Sequence, residues 1–231
     1  MVERLILWDI DGTLVRTGDI GSAVFDRALE VVLGRAPTAR VHMSGKTDPQ
    51  IVDEYLALMA VREDGVAAAV LAQLEIELAA AAEDLPAVGW PCPGAEELLS
   101  LLARDCRVAQ SVLTGNIAPN ATVKLAAFGL ARYLDLETGA FGSDDADRRA
   151  LVPIALRRQR ELRGRALTPD DVVVVGDTPN DLACAQAAGA RCVLVATGRY
   201  GAGELAGLGA DAVVTDLSDT AQMIDLLAPA G

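Results

Sequence analysis

Two pairs of aspartates stand directly behind short apolar runs: Asp9 and Asp11 after Arg4-Leu5-Ile6-Leu7-Trp8, and Asp177 and Asp181 after Val172-Val173-Val174-Val175-Gly176. Runs of this kind are what strands buried on both faces of a parallel sheet look like. Such sheets bind ligands outside the carboxyl ends of their strands. Carboxylates gathered at one such edge cannot all stay ionised without a cation, and hard oxygen donors with no histidine or cysteine nearby suit Mg²⁺ rather than zinc. A third run, Arg107 to Leu113, ends in Thr114-Gly115-Asn116. It adds a hydroxyl, an unhindered backbone N–H and an amide, small donors that suit an anion ahead of a helix. Each stretch also has a plainer reading. Asp9-Ile10-Asp11-Gly12 is good turn composition, and Thr178-Pro179-Asn180-Asp181 is a good helix start, although that account leaves Asp177 unexplained. Taken together in chain order, an attacking carboxylate, phosphate donors and metal carboxylates make an inventory for phosphoryl transfer.

The elements that must hold these residues alternate, with one interruption. After Thr13 the chain enters a helical region that runs to about Pro91, with helices expected over Ser22 to Leu33, Pro49 to Met59 and Glu63 to Glu83 and no clear strand. From Pro93 the alternation resumes. Helices are expected at 94–104, 119–127, 147–163, 179–188 and 218–227, and strands at 107–113, 135–141, 172–176, 192–196 and 212–214. The expected fold is α/β: a Rossmann-like, doubly wound parallel sheet core formed by residues 1–15 and 92–231, with an all-helical cap domain, residues 16–91, inserted after the first strand.

The chain has 231 residues, 52% of them hydrophobic, and a formal charge of −13, so it can fill a core and repels polyanions. The dense basic stretch, Arg157 to Arg165, reads as a solvated helix face rather than a nucleic-acid surface. Cys92, Cys106, Cys184 and Cys192 show no metal-ligand spacing and suit reduced thiols in the cytoplasm. No window approaches a membrane span and no signal segment is recognisable, so the expectation is a soluble, cytoplasmic monomer or homodimer acting on a small phosphorylated metabolite.

At these motifs the chain resembles the haloacid dehalogenase superfamily, in its phosphoglycolate phosphatase-like branch, over nearly its whole length. Asp9-Ile10-Asp11-Gly12-Thr13-Leu14 is similar to the first motif of that superfamily, Leu113-Thr114-Gly115-Asn116 to the second and Gly176-Asp177-Thr178-Pro179-Asn180-Asp181 to the fourth. The resemblance implies a phosphatase in which Asp9 is the nucleophile and forms an aspartyl-phosphate. Asp11 would protonate the leaving alcohol and then activate water, and Thr114, Gly115 and Asn116 would bind phosphate. It also implies Mg²⁺ held by Asp9, the main-chain carbonyl of Asp11 and Asp177, with Asp181 in or next to its shell. Dehalogenases lack the second carboxylate of the first motif, so Asp11 favours phosphate chemistry. A phosphomutase and a non-catalytic phosphate-binding regulatory module are the alternatives.

The third motif departs from the family pattern. Its cation is usually a lysine opening the helix before the fourth motif, and the lysines here, Lys46 and Lys124, do not stand there. Arg148, with Arg149 beside it, opens that helix and is the expected replacement. Lys124 is the rival, although it lies more than a turn into the helix that starts near Pro119 and on its rise has receded from the catalytic edge. Ser44-Gly45-Lys46-Thr47-Asp48 resembles the cap segment that faces substrate, making Lys46 a candidate contact for a substrate carboxylate or second phosphate. The same stretch is not a P-loop, because Arg40 stands where that motif needs glycine. His42, the single histidine, reads as an ordinary polar residue.

Overall fold

The computed structural model describes residues 1–229. Six strands form a parallel sheet in the order β5-β4-β1-β6-β7-β8. They are β1 (Arg4–Trp8), β4 (Val108–Thr114), β5 (Ala140–Phe141), β6 (Val172–Gly176), β7 (Arg191–Val195) and β8 (Ala212–Val214). The unbroken apolar strands bury both faces. Ile6 and Trp8 of β1 and Val173 and Val175 of β6 join one cluster, while Leu5, Leu7, Val172 and Val174 join another on the opposite side. Helices α5 (Ala95–Leu102), α6 (Ala118–Ala127) and α10 (Thr220–Leu227) cover the first face, and α7 (Leu151–Arg163) and α8 (Pro179–Ala188) the second. Strand β1 lies between β4 and β6, with Trp8 opposite Val112 and Val175. From β1 the chain moves to β4 on one side, with α5 on the first face, and from β6 it moves to β7 on the other side, with α8 on the second, so the crevice of this fold opens between the ends of β1 and β6.

Four helices follow β1: α1 (Ile20–Leu33), α2 (Asp48–Leu58), α3 (Val66–Ala80) and α4 (Leu85–Val88). They share an apolar cluster of their own, built on Phe25, Leu29, Tyr55, Leu74 and Leu78. Both ends of this segment run through a two-residue antiparallel ladder, β2 (Val15–Arg16) against β3 (Trp90–Pro91). A short helix, α9 (Ala202–Ala206), lies in the glycine-rich stretch after β7.

Several expected bounds shift. The strand expected over 135–141 shortens to β5, because Leu136–Thr138 is a 3-10 turn. The helix expected from 147 begins at Leu151, since the Asp147 side chain accepts from the Arg149 N–H and tightens Arg148–Ala150 into another 3-10 turn. The third helix of the inserted segment ends at Ala80, short of Glu83. β2, β3, α4 and α9 were not anticipated, each being too short to carry a period.

Candidate active site

The N–H of Asp9 donates to the Val175 carbonyl (2.9 Å), extending the β1–β6 ladder by one residue and setting Asp9 at the ends of the central strands. The chain then turns back on itself. Gly12 adopts φ +93°, its N–H donates to the Val15 carbonyl (2.9 Å), and its own carbonyl accepts the Thr197 hydroxyl (2.6 Å). A Cβ at Gly12 would press on the Asp177 carboxylate, so this position needs glycine for room as well as for its backbone conformation.

Asp177 follows β6 and is 3% exposed. Its Oδ1 accepts the Thr13 hydroxyl (3.3 Å), and its Oδ2 rests against Gly198. Burial, followed by the charges of Asp9 and Asp181, pushes its pKa up to about 9. A Cβ at Gly198 would overlap this carboxylate. Gly198→Ala is therefore expected to destabilise the protein by about 1–3 kcal/mol, read as a lower thermal midpoint; an unchanged midpoint would show that Asp177 has room to move.

Asp181 sits in the first turn of α8 and serves two neighbours. One oxygen accepts the Thr178 N–H (3.0 Å) and hydroxyl (2.7 Å) in a capping box, while the other meets the Arg148 guanidinium. The same guanidinium nitrogen donates to Asp9 Oδ1 at 2.7 Å. Burial acts to lower the Arg148 pKa, but Asp181 and Asp9 outweigh it and hold the group charged. Asp9 is pushed up to about 7, chiefly by burial and by Asp181, against the pull of Arg148. Ligand oxygens of Asp9, Asp177 and Asp181 lie within 4.8 Å of one another. Arg149, the alternative cation, is exposed and pairs with Asp147 at 2.8 Å.

Lys124 has not receded from this edge. Its Nζ donates to both Asp11 oxygens (2.8 and 2.6 Å) and to Asn116 Oδ1 (2.7 Å). Side chains on a helix tilt toward its N-terminus, so a long lysine stem regains much of the rise that carries its backbone away. Asn116 in turn donates to Asp11 Oδ2 (2.7 Å) and to the Thr114 hydroxyl (2.8 Å). The site thus contains two charged clusters, Arg148 with Asp9 and Asp181, and Lys124 with Asp11.

The inserted helical segment closes over these strand ends. The Asp48 N–H donates to the Gly115 carbonyl (2.7 Å), Asp48 Oδ2 accepts the Ile117 N–H (2.8 Å), and the Asn180 amide donates to the Gly45 carbonyl (2.9 Å). A Cβ at Gly115 would run into the Lys46 backbone. Asp48, which ends the stretch Ser44–Asp48 but carries no role of its own in the sequence reading, is buried and pushed up to about 6, by burial first and against the influence of Lys124 and the Ile117 N–H. Its trace in the sequence is the capping box Thr47–Gln50 that starts α2 around it. Lys46 lines the enclosed space, with its Nζ on Glu54 (2.6 Å). His42 is exposed and stands outside that lining. Between the strand ends and the helices lies a cavity of about 450 Å³, within the range of small-molecule sites.

The sequence model of the haloacid dehalogenase-like hydrolases matches residues 6–186. A phosphoglycolate phosphatase of Rhodospirillum rubrum is 30% identical over 235 residues, covering 100% of this chain and 94% of that protein. Phosphoglycolate phosphatase 1 of Pseudomonas aeruginosa is 27% identical over 202 residues, covering 85% of this chain and 71% of its own length. Among solved structures, a hydrolase from Pseudomonas syringae superposes with a TM-score of 0.73 at 21% identity, covering 98% of this chain and 100% of that one. CbbY from Rhodobacter sphaeroides, solved in complex with phosphate, superposes with a TM-score of 0.70 at 21% identity, covering 95% and 96%. These structures share the fold.

Proposed function

The chain belongs to the haloacid dehalogenase-like hydrolases, and on that footing we propose that it is a Mg²⁺-dependent phosphatase of small organic phosphate monoesters, working through an aspartyl-phosphate on Asp9. The observation that carries the reading is the pairing of Asp9 with the buried Arg148 at the base of the cavity, with Asp11 two residues on and held by Lys124 and Asn116.

An Asp9 oxygen attacks phosphorus and the bond to the alcohol oxygen breaks, with Asp11 delivering the proton that the alcohol carries away. Asp11 then takes a proton from water, and the water oxygen attacks phosphorus, releasing inorganic phosphate and restoring the Asp9 carboxylate. Thr114, Gly115 and Asn116 receive phosphate oxygens. Arg148 fixes Asp9 and offsets the gathering charge; its Nε, buried and without a partner, is a further donor within the site. The helical segment, residues 16–91, acts as a cap over the strand ends and excludes bulk water while Asp9 attacks.

The donor set suits a hard cation. Asp9 and Asp177 are pushed up to about 7 and about 9, first by burial and then by the charge of Asp181 and, for Asp177, that of Asp9, which Arg148 does not offset. Asp9, the Asp11 carbonyl and Asp177 would hold Mg²⁺ with Asp181 beside it, and the ion would supply charge to the phosphoryl oxygens. The names of the relatives make 2-phosphoglycolate the first substrate to try. No helix among the described residues is long and apolar enough to cross a membrane.

Release of inorganic phosphate from p-nitrophenyl phosphate is expected to require Mg²⁺, to stop on chelation, and in Asp177→Ala to need a higher Mg²⁺ concentration. Calorimetric Mg²⁺ affinity should tighten from pH 6 to 9, because the ion displaces protons from carboxyls titrating near 7 and 9. Full turnover with chelator present would overturn the proposal.

A further inference from the structure

We infer that Arg16 is a specificity residue of this site and receives a second anionic group, a carboxylate or a further phosphate, on the alcohol portion of the substrate. The inference rests on the phosphatase reading and adds which monoesters the site prefers. The turn that closes from Gly12 to Val15 bridges Val15 to Asp11 and so carries the next residue, Arg16, back to the cavity beside the catalytic edge. Val15 is fully buried in the core, whereas Arg16 is half-buried and lines the cavity. Its backbone is held by the ladder opposite Trp90.

The other cations of the cavity are mostly spent. Lys124 is on Asp11, Arg148 on Asp9 and Asp181, and Lys46 on Glu54, so the sequence candidate for a substrate anion already has a carboxylate. Arg199 is exposed. The Arg16 side chain makes no hydrogen bond and no ion pair among the described residues, and Asp19, close to it in sequence, is exposed and unpaired with it. Other half-buried arginines each have an acceptor, Arg4 the Asp170 carbonyl, Arg165 the Gln159 amide oxygen and Arg158 the Asp144 carboxylate, so the Arg16 side chain, half-buried with none, is an exception to the rule that polar groups withdrawn from water are paired. A ligand anion fills that role, and the planar guanidinium fits carboxylate and phosphate alike through two parallel hydrogen bonds. Phe25, Met43 and Ile51 supply apolar lining for a carbon skeleton whose reacting phosphate lies at Asp9. The site is therefore charged for a substrate that is anionic at both ends.

The test compares three probes on the full chain with Mg²⁺: 2-phosphoglycolate, 2-hydroxyethyl phosphate, which replaces the carboxylate by a neutral hydroxymethyl group, and ethylene glycol bisphosphate. Wild type should prefer one or both anionic probes over the neutral one in kcat/KM. In Arg16→Gln that preference ratio should fall about 10- to 100-fold, the loss of a charge-assisted contact, through KM more than kcat. Arg16→Lys should keep part of it. Whichever anionic probe loses more in Arg16→Gln identifies the group that Arg16 receives. A wild type without preference for either anionic probe, or an Arg16→Gln variant that loses on all three equally or on none, overturns the inference while leaving the phosphatase reading intact. A wild type that releases phosphate from none of the three, nor from p-nitrophenyl phosphate, removes both.

Discussion

Asp9→Asn is expected to lower kcat by roughly 10³-fold or more while the fold persists, because the amide keeps the shape of the carboxylate and loses the charge that attacks phosphorus. The stability expected of this variant separates loss of chemistry from loss of structure. Asp9 is pushed up to about 7, above the ordinary carboxyl value of 3.8. A carboxyl raised on folding contributes stability that is whole below the unfolded value and is lost as pH rises through the folded one. Above pH 7 the native protein therefore carries the cost of an ionised Asp9 in an acidic cluster, and Asn carries none. The thermal midpoint of Asp9→Asn at pH 8 should equal or exceed that of wild type, with Arg148 still on Asp181. Near-normal phosphate release by this variant would sink the nucleophile assignment; a collapsed midpoint would mean that the Asp9–Arg148 pair stabilises the fold more than its crowding costs.

The second large effect is expected at Arg148, which is 5% exposed and touches Asp9 and Asp181 at once. Removing one partner from a buried charge cluster costs about 3–5 kcal/mol when the other charges are left uncompensated. Arg148→Ala should thus fail twice, with a lower thermal midpoint and turnover down by about 10²-fold or more through weakened phosphate binding and a misplaced Asp9. Lys124→Ala should differ in kind. The Asp11 side chain that it holds is 40% exposed, so water can take over much of the lost contact. Its turnover should fall while its midpoint stays close to wild type. Titration with inorganic phosphate, read calorimetrically, ranks the two cations. If Arg148→Ala binds phosphate as wild type does while Lys124→Ala does not, the charge facing phosphate comes from α6.

The parts of the fold legible in the sequence were those with sharp chemical ends. β6 and α8 fall on their expected residues, since glycine closes the valine run and Thr178-Pro179 starts the helix with a cap and a preset φ. β5 was overdrawn because Leu136-Glu137-Thr138 has strand-like composition but turns on a local hydrogen bond. Strand-end aspartates could be read because topology sends every strand end of a parallel sheet to one edge. What composition alone could not show is reach. Lys124 arrives at Asp11 across 113 positions of sequence and Arg148 at Asp9 across 139, and nothing local distinguishes a side chain that spans such a gap from one that ends in solvent. Arg149 illustrates the point, since it shares the residue type and neighbourhood of Arg148 and turns to Asp147 instead.

The ladder of Val15–Arg16 against Trp90–Pro91 brings the departure and return of the helical segment to adjacent positions. An insertion with neighbouring ends leaves the sheet register unchanged whatever lies between them, so the lineage of this chain could rebuild its helices without rewriting the strands. The rebuilt segment would still have to meet the sheet at the contacts of Gly45, Lys46 and Asp48 with Asn180, Gly115 and Ile117, and at the seam in which Arg16 lies.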